Sequence, residues 1–239
     1  KYNISVTGGG DKTKIFSSLT YDRDEGLLSN ESRDRYAFRL NLDQQIFSWA
    51  KAGFTSNVNY SIRDNGVKNT FTQALSAFPL GDAYDVNGNL NHEFITNEYS
   101  PLGDFIENQF VDNTRNTYVN ANAYLELTPI KGFSFKTIIS GTLNNTRRGQ
   151  YWGDQSDANR PSYAGSPHAS ITNTYRNEYL WDNIINYNKT FGEDHDLGLT
   201  ALSSWIKAQY EDNMSAGSGQ LLDSWSFYSM MSSVNPHVE

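Results

Sequence analysis

The sequence predicts an all-β fold, with about eight strands of an antiparallel transmembrane β-barrel, short turns on one rim and long loops on the other. Three observations predict it. Apolar and polar residues alternate with a period of two in segments of about nine residues, the length that a tilted strand needs to cross a bilayer. Every second connection between these segments is short. The aromatic content is 14% although mean hydropathy is negative, and strands with one face in lipid and one in water explain both.

The first two strands are expected over residues 2–7 and 14–21, joined as a hairpin. Gly8, Gly9 and Gly10 precede the second strand and permit the positive φ angles of a tight reversal. The chain therefore begins with a short turn.

The next two strands, 35–43 and 51–62, have the clearest sidedness. A strand with one apolar face packs that face against something oily, and polar residues on the other face indicate water. We expect the lipid-facing residues to be Tyr36, Phe38, Leu40, Leu42, Phe54, Val58 and Tyr60. We expect the lumen-facing residues to be Arg35, Arg39, Asn41, Asn57 and Asn59.

The later strands are expected over 118–127 and 133–140, and over 177–187 and 196–206. In the last pair the two faces are poorly separated, because Leu180 and Ile184 share a face with Asp182. Short turns are expected on the periplasmic rim. Longer connections are expected on the extracellular rim, and after Gly217 the chain is expected to continue without a strand. These longer connections are 22–34, 63–115, 144–175 and 207 onward.

Composition excludes several classes of protein. No apolar run approaches the roughly 18 residues of a transmembrane helix. The absence of cysteine excludes disulfide scaffolds and thiolate sites. A net charge of −8 argues against nucleic acid as a partner, because phosphate binding requires basic clusters.

Several longer runs resemble the barrel of SusC/RagA-type TonB-dependent transporters from Bacteroidetes. The runs that carry the resemblance are 2–13, 34–43, 49–53, 80–89 and 125–133. The resemblance implies that residues 1–239 are part of a barrel of about 22 strands. We expect no plug domain, TonB box, signal peptide or closing strand in this chain.

The resemblance also implies location and partners. It implies the bacterial outer membrane, import of oligosaccharides or peptides, and a SusD-like surface lipoprotein. It implies coupling to the TonB complex through parts absent from this chain, contact with outer-membrane lipid, and a dimer of transporter–lipoprotein pairs. No cofactor is expected.

Aromatic residues are the best candidates for ligand contact. Tyr151, Trp152, Arg160 and Tyr163 fall in the expected loop 144–175. Rings stack on sugars or peptide side chains and arginine adds several donors, so these residues are candidates for contact with substrate or partner. Packing within the loop is the alternative. Other rings lie near strand ends, where they would mark a membrane interface, namely Tyr21, Tyr36, Trp49, Tyr60, Tyr179 and Trp205.

No metal site is expected. The four histidines, His92, His168, His195 and His237, are widely spaced and are interpreted as solvated loop residues. The acidic segments 22–26 and 85–89 lack the glutamate that completes a calcium loop, so turn chemistry explains them better.

Two other classes of function compete with transport. A soluble or surface-attached β-rich module for carbohydrate binding or adhesion would use the same aromatic residues, and it predicts two packed sheets. An enzyme on a β scaffold is disfavoured, because the sequence shows no nucleophile, general base or metal cluster.

Overall fold

Eight long antiparallel strands follow one another in a single sheet. A computed structural model describes residues 1–67, 70–77, 81–95, 98–159, 166–192 and 195–238. The long strands are β1 (Tyr2–Gly9), β2 (Thr13–Glu25), β3 (Ser32–Phe47), β4 (Ala50–Asp64), β7 (Phe110–Leu127), β8 (Phe133–Trp152), β9 (His168–Phe191) and β10 (His195–Ser218). A short strand, β11 (Asn235–Val238), pairs with the end of β10. The predicted all-β, antiparallel class is confirmed.

The connection between β4 and β7 carries small elements of its own. They are α1 (Thr70–Ser76), the strands β5 (Glu93–Ile95) and β6 (Glu98–Tyr99), which pair with each other, and a 3-10 turn (Pro101–Phe105). Two further 3-10 turns, Asp223–Tyr228 and Met230–Ser232, lie between β10 and β11. Within the described ranges no helix is long and apolar enough to span a bilayer.

The strand register carries the alternation of each strand across its neighbours. Tyr36 lies opposite Tyr21 and Tyr60, and Phe38 lies opposite Leu19 and Val58. Opposed residues point to the same side of a sheet, so these side chains form one surface, here called the apolar face. It carries the seven residues expected to face lipid and continues through Val119, Ala123, Ile139, Leu143, Trp181 and Trp205.

The opposite surface, here called the polar face, carries Arg35, Arg39, Asn41, Asn57 and Asn59. Its centre is a network of uncharged side chains. Asn120 donates to Thr142 at 2.9 Å, and Asn122 donates to Asn120 at 3.0 Å. Similar bonds join Asn59 to Asn57 at 3.1 Å and Asn116 to Asn144 at 2.7 Å.

The apolar stretch begins at a different hydrogen-bonded row in successive strands. The hydrogen-bonded row that starts at Tyr36 continues through Tyr60, Thr117, Asn145 and Tyr175. On β3 this row is the start of the apolar stretch, whereas on β9 the stretch lies further on, over 179–187. A displacement of about one residue per strand is what tilted strands produce, because a level band then crosses the hydrogen-bonded rows obliquely.

A ladder of tyrosines borders the apolar face on the first four strands. Ring centroids are 6.3 Å apart for Tyr2 and Tyr21, 5.0 Å for Tyr21 and Tyr36, and 6.4 Å for Tyr36 and Tyr60. Tyrosine at the edge of an apolar band is typical of a membrane interface, because its ring is apolar and its hydroxyl is polar.

The strands are longer than the sequence predicted. The connections shrink from 22–34 to 26–31, from 63–115 to 65–109, and from 144–175 to 153–167. Alternation marks only the part of a strand with an apolar face, whereas backbone pairing continues through polar residues beyond it. The alternation of short and longer connections remains.

Two expectations for the last strands are corrected. The segment after Gly217 does include a strand, because β11 pairs with β10 and Asn235 lies opposite Ser218. The unclear sidedness of β9 is also resolved. Trp181 lies on the apolar face opposite Ile139 and Trp205, which leaves Leu180 on the polar face opposite Ile206.

Little of the chain is fully buried, because one sheet has no second layer to cover it. The described core is a small cluster of Tyr151, Ala169 and Phe227, with Val111, Ile171 and Met230 packed around it. It lies where the segment 219–234 folds over the apolar-face side of β8 and β9, beyond the apolar stretch.

Two turn glycines allow a matched test of the short turns. Gly132 and Gly192 both have positive φ, 81° and 65°. A methyl group at Gly132 would lie 2.1 Å from the carbonyl oxygen of Asn188, whereas at Gly192 it would contact nothing within 4 Å. We expect Gly132→Ala to lower the free energy of unfolding in lipid vesicles by more than Gly192→Ala, which costs only about 1 to 2 kcal/mol of backbone strain. Urea unfolding of the full-length protein measures both, and equal losses would contradict the steric argument.

Candidate functional site

The candidate site lies on the polar face, where the ends of β7 and β8 meet the connections 65–109 and 153–167. Two adjoining cavities of about 520 and about 350 Å3 open there. They share four lining residues, Gly66, Val67, Asp112 and Arg148. The two cavities therefore form one recess, and the ion pair of Asp112 and Arg148 lies between them.

The ion pair joins neighbouring strands. The Arg148 guanidinium donates through Nε to Asp112 Oδ1 at 2.8 Å and through Nη2 to Asp112 Oδ2. Gln150 and Asn65 donate to the same carboxylate, each at 3.2 Å. The hydrogen bond to Asp112 raises the pKa of Arg148.

The two partners differ in exposure. The Asp112 side chain is 6% exposed and the Arg148 side chain is 39% exposed. The carboxylate is thus a buried anchor, and the guanidinium is a positioned donor with an open edge. Such a group can bind a carboxylate or hydroxyl of a ligand without first being ordered.

An aromatic wall borders the smaller cavity. Trp152, the last residue of β8, meets Phe110 edge-on at 6.3 Å and His168 at 5.6 Å between ring centroids. All three lie in register at the ends of β7, β8 and β9. Trp152 is partly exposed and lines the cavity, so its ring can stack on a ligand. Burial lowers the pKa of His168.

Hydrogen bonds between loops fix the rim. His92 Nδ1 lies 3.0 Å from Asp157 Oδ1, and its Nε2 lies 2.9 Å from Gln155 Oε1. The Gly103 amide donates to Asp157 Oδ2 at 3.2 Å. Three parts of the chain that are distant in sequence are therefore joined at the buried Asp157 carboxylate.

A second buried carboxylate lies beside the first. Asp104 is 2% exposed and accepts from the Ser156 hydroxyl and from the Ala158 amide, the latter at 3.2 Å. Burial raises the pKa of Asp104.

The structure separates the four residues expected to contact ligand. Tyr151 is not in a loop. It is the penultimate residue of β8, points to the side opposite Trp152, and is fully buried against Ala169 and Phe227. Its hydroxyl donates to Asp223, and burial raises its pKa. Trp152 lines the cavity, whereas Arg160 and Tyr163 lie outside the described residues.

Two histidines and two acidic segments have assigned partners. His92 belongs to the rim network, and His168 packs on Trp152 as the first residue of β9, so neither is the solvated loop residue expected. Asp85 accepts from the Asn87 and Asn89 amides, both at 2.8 Å, which is turn chemistry. Turn chemistry does not explain the segment 22–26, because residues 22–25 belong to β2 and Asp22 pairs across the sheet with Arg35 at 2.8 Å. Across the described ranges no three ligating side chains cluster as a metal site.

The sequence did not single out Asp112, Arg148 or Asn65. All three fell in connections expected to be loops, and nothing local in the chain marks a contact between residues 36 positions apart. The register of β7 and β8 brings Asp112 and Arg148 together, and the pairing of β4 with β7 places Asn65 beside them.

Comparison with known proteins identifies relatives of one kind. The chain is 25% identical over 234 residues to TonB-dependent receptor P26 of Formosa agariphila, covering 97% of this chain and 23% of the relative. It is 26% identical over 226 residues to TonB-dependent receptor P3 of the same organism, covering 87% of this chain and 21% of the relative. The chain thus spans less than a quarter of the length of these relatives. No model of a known protein family matches it.

Solved structures give the same fold. The RagAB peptide importer in its closed-closed state is similar with a TM-score of 0.69 and 21% identity, over 99% of this chain and 28% of that one. In its open-open state the TM-score is 0.67 at 20% identity. These findings confirm the resemblance to SusC/RagA-type TonB-dependent transporters, the barrel class and the outer-membrane location. The relatives are described as receptors and importers, which fits a protein that is not an enzyme.

The raised pKa of Asp104 predicts a pH-dependent rim. The folded rim binds a proton at Asp104 more tightly than an opened rim, whose carboxyl has the ordinary pKa of 3.8. This contribution to stability is full below about pH 3.8 and is lost as pH rises through the raised pKa. We expect amide exchange across residues 153–159 of the full-length protein, corrected for intrinsic rates, to quicken over this range. Asp104→Asn, which cannot titrate, should flatten the response, and an unchanged response would contradict the assignment.

Proposed function

We propose that this chain is one section of the wall of an outer-membrane importer that is powered through TonB and takes up peptides or oligosaccharides. The observation that carries the proposal is the division of one sheet into a continuous exposed apolar face and a polar face with a cavity near one end. A transmembrane barrel needs both surfaces on the same strands.

The two faces then acquire roles. The apolar face, including Phe54, Val58 and Tyr60, contacts lipid. The polar face, including Asn57 and Asn59, lines the water-filled interior. Large exposed apolar residues support this assignment, because Trp181 and Trp205 lie side by side on the apolar face at 49% and 53% exposure. In water such a surface would favour association, whereas in lipid it is solvated.

The edges of the sheet support membership of a larger barrel. β1 and β10 are not paired with each other, and β10 has no outer neighbour over 195–214 among the described residues. Unpaired backbone groups are costly in hydrocarbon, so further strands would complete the wall. The length of the curated relatives is consistent with such strands.

The chemistry of the site favours a polar cargo with ring or carboxylate groups. Arg148 presents guanidinium N–H donors held in place by Asp112, and Trp152 presents the face of its ring to the cavity. Peptides and oligosaccharides both present such groups. A SusD-like lipoprotein would cover the loops around this site, and plug and TonB contacts would come from other parts of the protein. Pairs of transporter and lipoprotein would associate as a dimer.

The alternative, a β-rich adhesion or carbohydrate-binding module, requires a second sheet over the apolar face. The long strands of the described chain form one sheet, and the second sheet, β5 and β6, has only two short strands. No observation here favours the sandwich.

Lysine substitutions on adjacent residues test the two faces. Ala123 lies on the apolar face between Phe54 and Ile139, and Asn122 is its neighbour on the polar face. A lysine at mid-depth in lipid costs about 2 to 4 kcal/mol. We expect Ala123→Lys to lower the free energy of unfolding in vesicles by that amount and Asn122→Lys by much less. The reverse order would contradict the lipid assignment.

Uptake by cells tests the importer. A strain without the gene, complemented with the full-length gene, should take up a fluorescent tryptic peptide mixture or fluorescent maltooligosaccharides, and a protonophore should abolish the uptake. We expect Trp152→Ala to raise the half-saturating concentration by about twofold to tenfold through lost stacking. Trp225→Ala, on the segment that covers the apolar-face side, is the matched control and should leave it unchanged. Uptake of neither probe, or a mature protein of only 27.0 kDa, would contradict the proposal.

A further inference from the structure

Two arginines face each other on the outside of the sheet. Arg115 of β7 lies directly opposite Arg147 of β8, on the side of the apolar face. Arg115 is exposed and Arg147 is half-buried. Like charges in opposed positions destabilise a strand pair, so this arrangement requires a compensating partner.

The height of the pair follows from the strand geometry. Along β7 and β8 the nearest aliphatic side chains below it on the same face are Val119 and Leu143, four residues along each strand, and Ile62 of β4 lies directly opposite Arg115 in the same row. Four residues span about 13 Å along a strand and about 10 Å in height at a tilt of about 40°. This inference rests on the lipid-facing assignment made above. On that assignment the two guanidinium groups reach the headgroup level of the outer leaflet, because long arginine side chains can bend toward it.

A second arginine pair on the polar face provides an internal comparison. Arg33 lies directly opposite Arg63. Arg33 is neutralised within the chain, because its Nη2 lies 2.6 Å from Asp24 and 3.8 Å from Asp22. The inner pair therefore has its counter-ions in the same sheet.

The outer pair has no such counter-ion. Within the described residues, no carboxylate oxygen lies within 4.0 Å of either guanidinium. Four acids lie on this side nearby. Asp223 accepts from the Tyr151 hydroxyl, and Glu211, two strands from Arg147, lies in the row of Asn145 and Tyr175. The other two, Asp64 and Asp34, accept hydrogen bonds from other side chains. Asp64 accepts from Asn113 at 2.7 Å, and Asp34 accepts from the Tyr21 hydroxyl at 2.6 Å.

The surroundings hold Arg147 in place. Its guanidinium carbon lies 5.2 Å from the centre of the Phe227 ring and 5.6 Å from that of Tyr228. Phe227 is fully buried, so the overlying turn is fixed. Stacking on a ring engages the face of a guanidinium and leaves its edge N–H groups free to donate.

We propose that Arg115 and Arg147 together bind the phosphate of an anionic lipid headgroup. Guanidinium groups bind phosphate through paired, charge-assisted hydrogen bonds, and two facing groups can hold one phosphate between them. The uncharged Asn173 lies directly opposite Arg147, and Asn145 lies two residues below Arg147 on β8, so both add polar groups beside the pair. The lipid phosphate is then the counter-ion of the outer pair, as Asp24 and Asp22 are the counter-ions of Arg33 in the inner pair.

Native mass spectrometry of the full-length protein in detergent tests the site. The probes are dioleoyl phosphatidylglycerol, dioleoylglycerol with the same chains and no phosphate, and inorganic phosphate alone. We expect the protein to retain phosphatidylglycerol and not dioleoylglycerol. Arg115→Gln with Arg147→Gln should weaken retention at least about tenfold. The matched control, Arg33→Gln with Arg63→Gln, removes two charges from the other face and should leave retention within about twofold.

Several outcomes would overturn the proposal. One is equal retention of phosphatidylglycerol by the wild type and the outer double variant, and another is an equal loss of retention in the inner control. A third is displacement of the lipid by an equal concentration of inorganic phosphate, which would indicate a site for free phosphate. A variant with Arg115→Lys and Arg147→Lys keeps the charges and should retain part of the binding, which separates loss of the site from loss of fold. If the lipid-retention result fails while cells still take up the probes, the lipid site is contradicted and the importer proposal stands. If Ala123→Lys does not destabilise the protein, the lipid-facing assignment itself is contradicted.

Discussion

The need to pair every backbone N–H and C=O group governs this structure. Strands β1 to β4 and β7 to β10 pair with their sequence neighbours over nearly their whole length, so the sheet satisfies its own interior without a second layer. Because pairing is settled by the backbone, side chains are free to divide into two unlike surfaces. The exposed apolar face, the polar face and the shortage of buried core all follow from this one constraint.

The sequence predicted the parts of the fold that have an apolar signal. Alternation over 35–43 and 51–62 identified β3 and β4 and their faces, because each outward residue there except Ser56 is apolar and each inward one is polar or small. It failed at strand ends. β8 and β9 continue beyond their apolar stretches through threonine, asparagine and arginine on both faces, and β10 continues through lysine, glutamine and acidic residues, so periodicity carries no information there.

The candidate site was partly predictable for the same reason. Trp152 was identified by its type, but whether it or Tyr151 faces the cavity depends on the strand continuing past residue 144, which the pattern did not show. Asp112 and Arg148 depend on register, which is a property of two strands and is not written in either alone. The resemblance to known transporters indicated the class of protein but not these contacts.

The asparagine and threonine network on the polar face has a consequence for the movement of solutes. These amides and hydroxyls already bond to one another, as Asn120 does to Thr142 and Asn116 does to Asn144. The network itself carries no net charge, and charged side chains flank it in the same row, Arg39 opposite Asn57 and Glu178 opposite Thr142. A molecule passing such a surface mainly exchanges one set of water contacts for another. In the proposed importer, a solute crossing this uncharged stretch would therefore make weak contacts that exchange readily, and its stronger contacts would be with the charged side chains that flank the stretch.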